Sequence, residues 1–231
     1  MYLFPIVLSL NDKTLCMRKL IYVVIILLVV SQTRAQSLTN GTLGFQIGYD
    51  FAAHGTLTET EVLGIIDTDT GVAVTNMLNI GIQYSFASWF SAGAEFNYGA
   101  YVEDTADTGA NGNVFNTIAF DARLYPLNKD HLNWYVGAQA GLTNLQIYRV
   151  DPATDMEAGY KYASPHLGLF TGINWYFLDV AGLFFQLDYS KHGFELNELT
   201  IDEVKQDLTY INQTLDTKGV GVRAGITFHI N

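Results

Sequence analysis

The chain has 231 residues, a formal net charge of −11 and only 15% charged residues, with 14 Tyr, 14 Phe, 3 Trp and 21 Gly. That length suits one domain, and an acidic chain without a Lys/Arg stripe excludes nucleic acid as a partner, because counterion release needs clustered cations. Few charges with many glycines and aromatics suit a β-rich protein that keeps charge off much of its surface.

The first stretch reads as a secretion signal. Arg18 and Lys19 follow Met17, and an unbroken apolar run of eleven residues, 20–30, comes next. Thr33 and Ala35 then occupy the small-residue positions of a cleavage site, which places the cut before Gln36. A spanning helix needs about 20 apolar residues, so the run is short for an anchor. Residues 1–16 fit no part of a signal, and Met17 is the expected start. The expected organisation is therefore a signal peptide over 1–35 and a single domain over 36–231. The only cysteine, Cys16, lies upstream, so 36–231 holds no thiol, disulfide or cysteine-based metal site. It retains eight basic and twenty-two acidic residues.

From there the sequence alternates. Leu43, Phe45, Ile47, Tyr49 and Phe51 share one face of an extended segment, with Gly44, Gln46, Gly48 and Asp50 on the other. A polar stretch over 52–73 is read as a loop. Leu78, Ile80, Ile82, Tyr84 and Phe86 form the second apolar face. After a tight connection at 87–91, Ala92, Ala94, Phe96, Tyr98, Ala100 and Val102 form the third, opposite Glu95 and Tyr101. A loop over 103–113 with Asp-Thr-Gly and Asn-Gly turn chemistry follows. The fourth apolar face is Val114, Ile118, Phe120, Ala122 and Leu124, opposite Asp121 and Arg123, and Pro126 is expected to stop the strand. Trp134 to Leu142 gives the fifth. A loop over 148–164 leads to the sixth, Leu167 to Phe177, and a short turn at 178–182 to the seventh, Leu183 to Tyr189, with Asp188 on its polar face.

Residues 191–218 then form a long insert. Ile201, Val204, Leu208, Ile211 and Leu215 recur at spacings of three and four, and Thr200 with Glu203 matches a capping box, which predicts a short surface helix. The alternative is that the adjoining strands extend beyond the membrane. The last segment, 219–231, alternates cleanly, with Val220, Val222, Ala224, Ile226, Phe228 and Ile230 against Gly221, Arg223, Gly225, Thr227 and His229. Ending there, it can pair with the first strand and remove both sheet edges.

Eight strands with connections alternating long and short describe an all-β, antiparallel up-and-down barrel. Alternation alone leaves open which face points out, since a soluble barrel alternates too. The polar face decides: it is mostly Gly, Ser, Thr, Asn and Gln, unlike a water-facing sheet rich in Lys and Glu. The apolar face carries no charge in any strand, and one Arg or Lys at mid-bilayer costs about 2–4 kcal/mol. Trp89, Trp134 and Trp175 fall beside the short turns and Tyr49, Tyr98 and Tyr189 near the opposite ends, the pattern of two interfacial aromatic belts. The reading is a transmembrane barrel with the apolar face in lipid.

The eight-segment layout, the signal, the Arg123-Leu124-Tyr125-Pro126 turn entry and the glycine- and aromatic-rich last strand resemble small outer-membrane barrels of the OmpA/OmpX type. The outer-membrane β-barrel domain proteins common in Bacteroidetes are the closest likeness. That resemblance implies a multi-pass barrel in the cell outer membrane, periplasmic termini, outer-membrane lipid as surroundings, and recognition of the C-terminal strand by the barrel-assembly machinery.

Candidate chemistry centres on the polar face. Glu95, Asp121, Arg123, Asp188 and Arg223 are expected to form lumen ion pairs, Glu95 with Arg123 and Asp188 with Arg223, because an unpaired charge in a packed interior costs several kcal/mol. Eight strands leave an interior that side chains just fill, and Tyr101, Tyr135, Phe170, Tyr176 and Phe184 also point inward. Sixteen of the twenty-three acidic residues lie in the four long connections, against five basic ones, which offers a solvated surface, a cation-bridging surface or a partner site. Asp67-Thr68-Asp69-Thr70-Gly71 begins like a calcium loop, but the glycine is one position early and the distal Glu is missing. Ser164 with His166, and Ser190 with His192, raise a lipid-modifying enzyme, yet no oxyanion donor or orienting acid can be assigned. The glycines at 219, 221 and 225 are not a dinucleotide fingerprint, and no cofactor or metal is expected. The sequence therefore favours a non-enzymatic structural or surface-interaction role carried by the acidic loops. A narrow channel for small or apolar solutes is the second reading and a lipid-modifying enzyme the third.

Overall fold

The computed structural model describes residues 38–103, 113–150, 154 and 156–230. The signal segment 1–35, with Met17 and Cys16, lies outside the described residues. Nine strands follow in order: β1 (Leu43–Val62), β2 (Ile65–Ala87), β3 (Phe90–Glu103), β4 (Val114–Asn128), β5 (Leu132–Val150), β6 (Glu157–Tyr176), β7 (Ala181–Ile201), β8 (Val204–Lys205) and β9 (Ile211–Ile230). Each long strand pairs antiparallel with its neighbour, and β9 pairs with β1 from Leu43↔Ile230 to Val62↔Ile211. Eight strands thus close a ring, and two-residue β8 only decorates β7.

Closure follows from the period-two pattern. Phe45, Ile47, Tyr49 and Phe51 of β1 face outward and are exposed, while Gln46 and Asp50 are buried inside. Every other barrel strand repeats this polarity. An inside-out distribution of this kind is stable only when the apolar face is solvated by hydrocarbon. Among the described residues no helix is long and apolar enough to cross a membrane; the strands do the crossing. Gly48 and Gly225 sit opposite each other on β1 and β9. A Cβ at Gly48 would lie 2.5 Å from the Phe184 ring, and one at Gly225 would lie 2.7 Å from it. The two glycines form the slot into which Phe184 packs.

Four expectations are corrected, the first being the loop over 148–164: β5 continues to Val150 and β6 begins at Glu157. The stretch 52–73 is not a loop: β1 and β2 continue through it and turn only at Leu63–Gly64, both with positive φ (53° and 84°). Two such residues make the hairpin turn whose twist matches the strands. A 20-residue strand is about 65 Å long, far more than a tilted crossing of a core about 30 Å thick requires, so the hairpins stand clear of the lipid. Out there the outward positions of β1 mix Ala53, Gly55 and Leu57 with Glu59 and Glu61, and the apolar contrast that marks a strand disappears.

The helix over 191–218 is absent as well. β7 runs through Ile201, Asp202 and Glu203 turn with φ of 48° and 66°, and Ile201 pairs with Val204. Thr200 bonds the Gly159 carbonyl through its Oγ1 instead of capping a helix. The three–four spacing arose from apolar residues distributed over separate strands: Leu215, for example, is buried inside the barrel from β9. Pro126, finally, does not end its strand. It sits inside β4 at the register shift between Leu124 and Leu127, a bulge where a missing N–H costs no ladder bond.

Candidate functional site

The lumen is stratified, and period-two geometry sets the layers. At the short-turn end Leu38, Tyr125, Tyr135 and Phe170 form a small apolar cluster. Leu38 is held there by its N–H to Asn128 Oδ1 and its carbonyl to Asn128 Nδ2.

Above it lies Arg123, 1% exposed. Its Nε donates to Asp121 Oδ2 at 2.8 Å and its Nη1 to Gln46 Oε1 at 2.8 Å, and the guanidinium stands 4.9 Å from the Tyr135 ring centre. Gln83 Nε2 donates to both Asp121 oxygens. The next layer is centred on Arg223, 2% exposed, which donates to Asp50 Oδ2 from Nη2 at 2.8 Å and to Glu95 Oε2 from Nη1 at 2.8 Å. Asn97 completes Glu95 by donating to its Oε1.

All five sequence-predicted lumen charges are therefore buried; Arg123 holds Asp121, its expected neighbour, while the cross-strand partners differ from those expected. Glu95 meets Arg223 rather than Arg123, because strand stagger lifts β3 relative to β4. Asp188 has no ion pair among the described residues; its carboxylate lies against Gly221, where a Cβ would approach Oδ2 to 2.7 Å. Asp50 occupies the place beside Arg223 that was assigned to Asp188.

A histidine layer follows that the sequence reading missed. His166 Nδ1 and His192 Nε2 are 2.7 Å apart, His192 Nδ1 and Thr217 Oγ1 are 3.1 Å apart, and His54 Nε2 and Thr75 Oγ1 are 3.1 Å apart. A signal existed: His54 and His192 lie four residues beyond Asp50 and Asp188, on the same inward parity. The signal is faint because both positions fall where the outward residues lose their apolar contrast. The layer is capped by an apolar cluster including Tyr101, Phe115, Leu145, Tyr162, Phe194 and Leu215. The Phe194 ring stacks on His192 at 5.3 Å.

Outside the barrel, Trp89, Trp134 and Trp175 are exposed near the short turns, and Tyr49, Tyr98 and Tyr189 are exposed further along. Beyond the lipid belt, Glu198 of β7 pairs with Lys161 of β6 and with Lys205 of β8. Hydrogen bonds from these two ammonium groups hold its carboxyl below the usual range.

In the first Ser–His pair the serine is engaged away from its histidine. Ser164 Oγ donates to the Pro165 carbonyl and accepts the Gly193 N–H, while His166 faces His192.

A closed ring of eight strands with a charge-free apolar belt and an ionic interior defines a small transmembrane β-barrel of the outer-membrane kind. Among solved structures the chain is similar to the outer membrane protein OprG from Pseudomonas aeruginosa, with a TM-score of 0.56 and 12% identity over 84% of this chain and 97% of that one. It is also similar to outer membrane protein AlkL in lipid bilayers, with a TM-score of 0.52 and 10% identity over 86% and 94%. At such identities the likeness carries the fold. No protein-family model and no curated protein matches the sequence.

Proposed function

We propose that the chain is a non-conducting, non-enzymatic outer-membrane barrel whose lumen is plugged by its ion pairs and whose work is done by the acidic hairpins at the long-loop end. The observation that carries this reading is the pair of arginine spans: Arg223 joins β9 to β3, and Arg123 joins β4 to β1, each across the barrel rather than along its wall. Breaking a buried pair of this kind costs about 3–5 kcal/mol, so solute passage through these layers is strongly opposed. The hairpins supply what the lumen lacks, an accessible surface with acidic side chains beside exposed Leu63, Ile65 and Ile66 at the β1–β2 tip. The surroundings are outer-membrane lipid, and the alternating strand β9 is the natural element for the assembly machinery to read.

Single-channel recording of the barrel in planar bilayers tests the plug. The expected result is no resolved conductance, with openings appearing in Arg223→Ala. Binding of purified barrel to cells and lipids, compared with a variant shortened over 196–210, tests the hairpins.

A path for small apolar solutes is the second reading. It is favoured by the apolar lining of the long-loop half of the lumen, where Met77, Phe115, Phe194 and Leu215 cluster. Uptake of an apolar dye into barrel-containing vesicles without ion conductance would support it.

A further inference from the structure

Counting charge in the Arg223 layer gives an unbalanced sum. Asp50, Glu95 and Asp188 face a single arginine, whereas Asp121 and Arg123 cancel one another. Fully ionised, its carboxylates would leave two excess negative charges, which the layer must offset with bound protons or a bound cation. Each is expensive to bury without a partner.

The excess lies beside a cavity of about 20 Å³, room for one water-sized occupant. Three side chains that line it each present a buried atom without a hydrogen-bond partner: His166 Nε2, Gln139 Oε1 and Asp188 Oδ1, on residues 5%, 5% and 8% exposed. Asp50 Oδ1 and His54 Nδ1 are unpartnered at the same cavity, and Arg223 lines it as well. Ionised carboxylates and an amide oxygen can only accept. Such a set of acceptors suits a bound proton or a bound cation.

The histidine chain fixes what His166 offers. If His166 Nδ1–H donates to His192 Nε2, then His192 carries its proton on Nδ1 and donates to Thr217 Oγ1. Both rings are then neutral, and His166 turns a bare Nε2 lone pair toward the cavity. A ring nitrogen held from behind by a hydrogen bond from the other nitrogen is how a ligating imidazole is oriented. Gly221 completes the seat, since a Cβ there would fill the position of the Asp188 carboxylate.

We propose that this cavity binds one divalent cation of the imidazole-preferring, zinc-like class, held by His166 Nε2, an Asp188 oxygen and Gln139 Oε1, with water completing the shell. Its two charges would offset those of the fully ionised layer. Among the described residues no three His, Cys, Asp or Glu side chains group to hold an ion; the third protein ligand in this proposal is the Gln139 amide oxygen, an unpartnered atom lining the cavity. A mixed nitrogen–oxygen set suits zinc, nickel or copper, whereas calcium takes six to eight oxygens. His54 stays outside the set, because its Nδ1 packs against Gly219. The site is independent of the hairpin surface and of whether the lumen conducts.

The test is calorimetric titration of Zn²⁺ into the chelator-treated barrel in detergent, repeated with Zn²⁺ present during refolding because the layers on both sides seal the site. The expected result is one Zn²⁺ per barrel, with affinity at least tenfold weaker in Asp188→Asn and in His166→Gln. Ca²⁺ binding is expected to be weak and indifferent to both changes. Gln139→Leu, which alters no charge, should also weaken Zn²⁺ at least tenfold and keeps the test decisive if a charge variant does not fold. No stoichiometric Zn²⁺ in either preparation overturns the proposal, as does Zn²⁺ binding that all three variants leave unchanged.

Discussion

Arg223 of β9 and Glu95 of β3 meet with Nη1 and Oε2 2.8 Å apart although two strands, β2 and β1, stand between them around the wall. The contact is a chord through the barrel, and the same guanidinium holds Asp50 on the adjacent strand. One cation therefore ties three strands together and compensates two buried carboxylates. No local sequence feature requires this.

Replacing Arg223 with Met leaves Asp50 and Glu95 buried and uncompensated. The expected loss is about 3–5 kcal/mol of unfolding free energy, measured by urea unfolding in lipid vesicles. Adding Asp50→Asn and Glu95→Gln should recover a large part of it. A triple variant no more stable than Arg223→Met would sink the assignment.

The slot at Gly48 predicts strong coupling. Gly48→Ala places a methyl 2.5 Å from the Phe184 ring and 2.8 Å from the Ala224 carbonyl. It should destabilise by about 1–3 kcal/mol as an overpacked site. Phe184→Leu in the same barrel should relieve part of this, giving a non-additive double-mutant cycle by the same unfolding measurement.

Depth in the lipid can be read from the outer face. Ile80 pairs with Ile47 and Phe96 in the middle of the apolar belt. Ile80→Arg should cost about 2–4 kcal/mol, whereas Tyr49→Arg, nearer the interface, should cost about 0–1 kcal/mol. Equal costs at the two positions in vesicle unfolding would contradict this placement of the membrane.

The β7–β8 hairpin should respond to acid. Hydrogen bonds from Lys161 and Lys205 lower the Glu198 carboxyl. Because the folded value lies below the unfolded one, the contribution to hairpin order is fully present above the ordinary Glu range near 4.3 and is lost as pH falls through the depressed value. A carboxyl-resolved NMR titration of Glu198 should give a midpoint below that range, moving back toward it in high salt as the exposed pairs are screened. Glu198→Gln should remove the acid sensitivity of this hairpin in limited proteolysis.

How far the sequence could be read changed along each strand. Where the outward positions touch lipid, the contrast between Ile82 and Gln83 or between Phe228 and Thr227 is total, and strand, face and order were all legible. Beyond the lipid, Thr58, Glu59 and Thr60 of β1 carry no such contrast, so the same strand read as a loop. In the insert, Ile201 of β7, Val204 of β8 and Ile211 of β9 imitated a helical spacing because a tight turn at Asp202–Glu203 brought separate strands into one short stretch of sequence.

By itself the amino-acid sequence determined that the chain forms a closed eight-stranded barrel with its oily face outward. Both facts are carried by a strictly local, period-two alternation and by the cost of placing charge in hydrocarbon. Only the tertiary structure decided which lumen charges meet, that His54, His166 and His192 gather above them, and that Asp188 makes no salt bridge among the described residues. Those depend on the stagger between strands, a property of the closed ring that no single strand encodes.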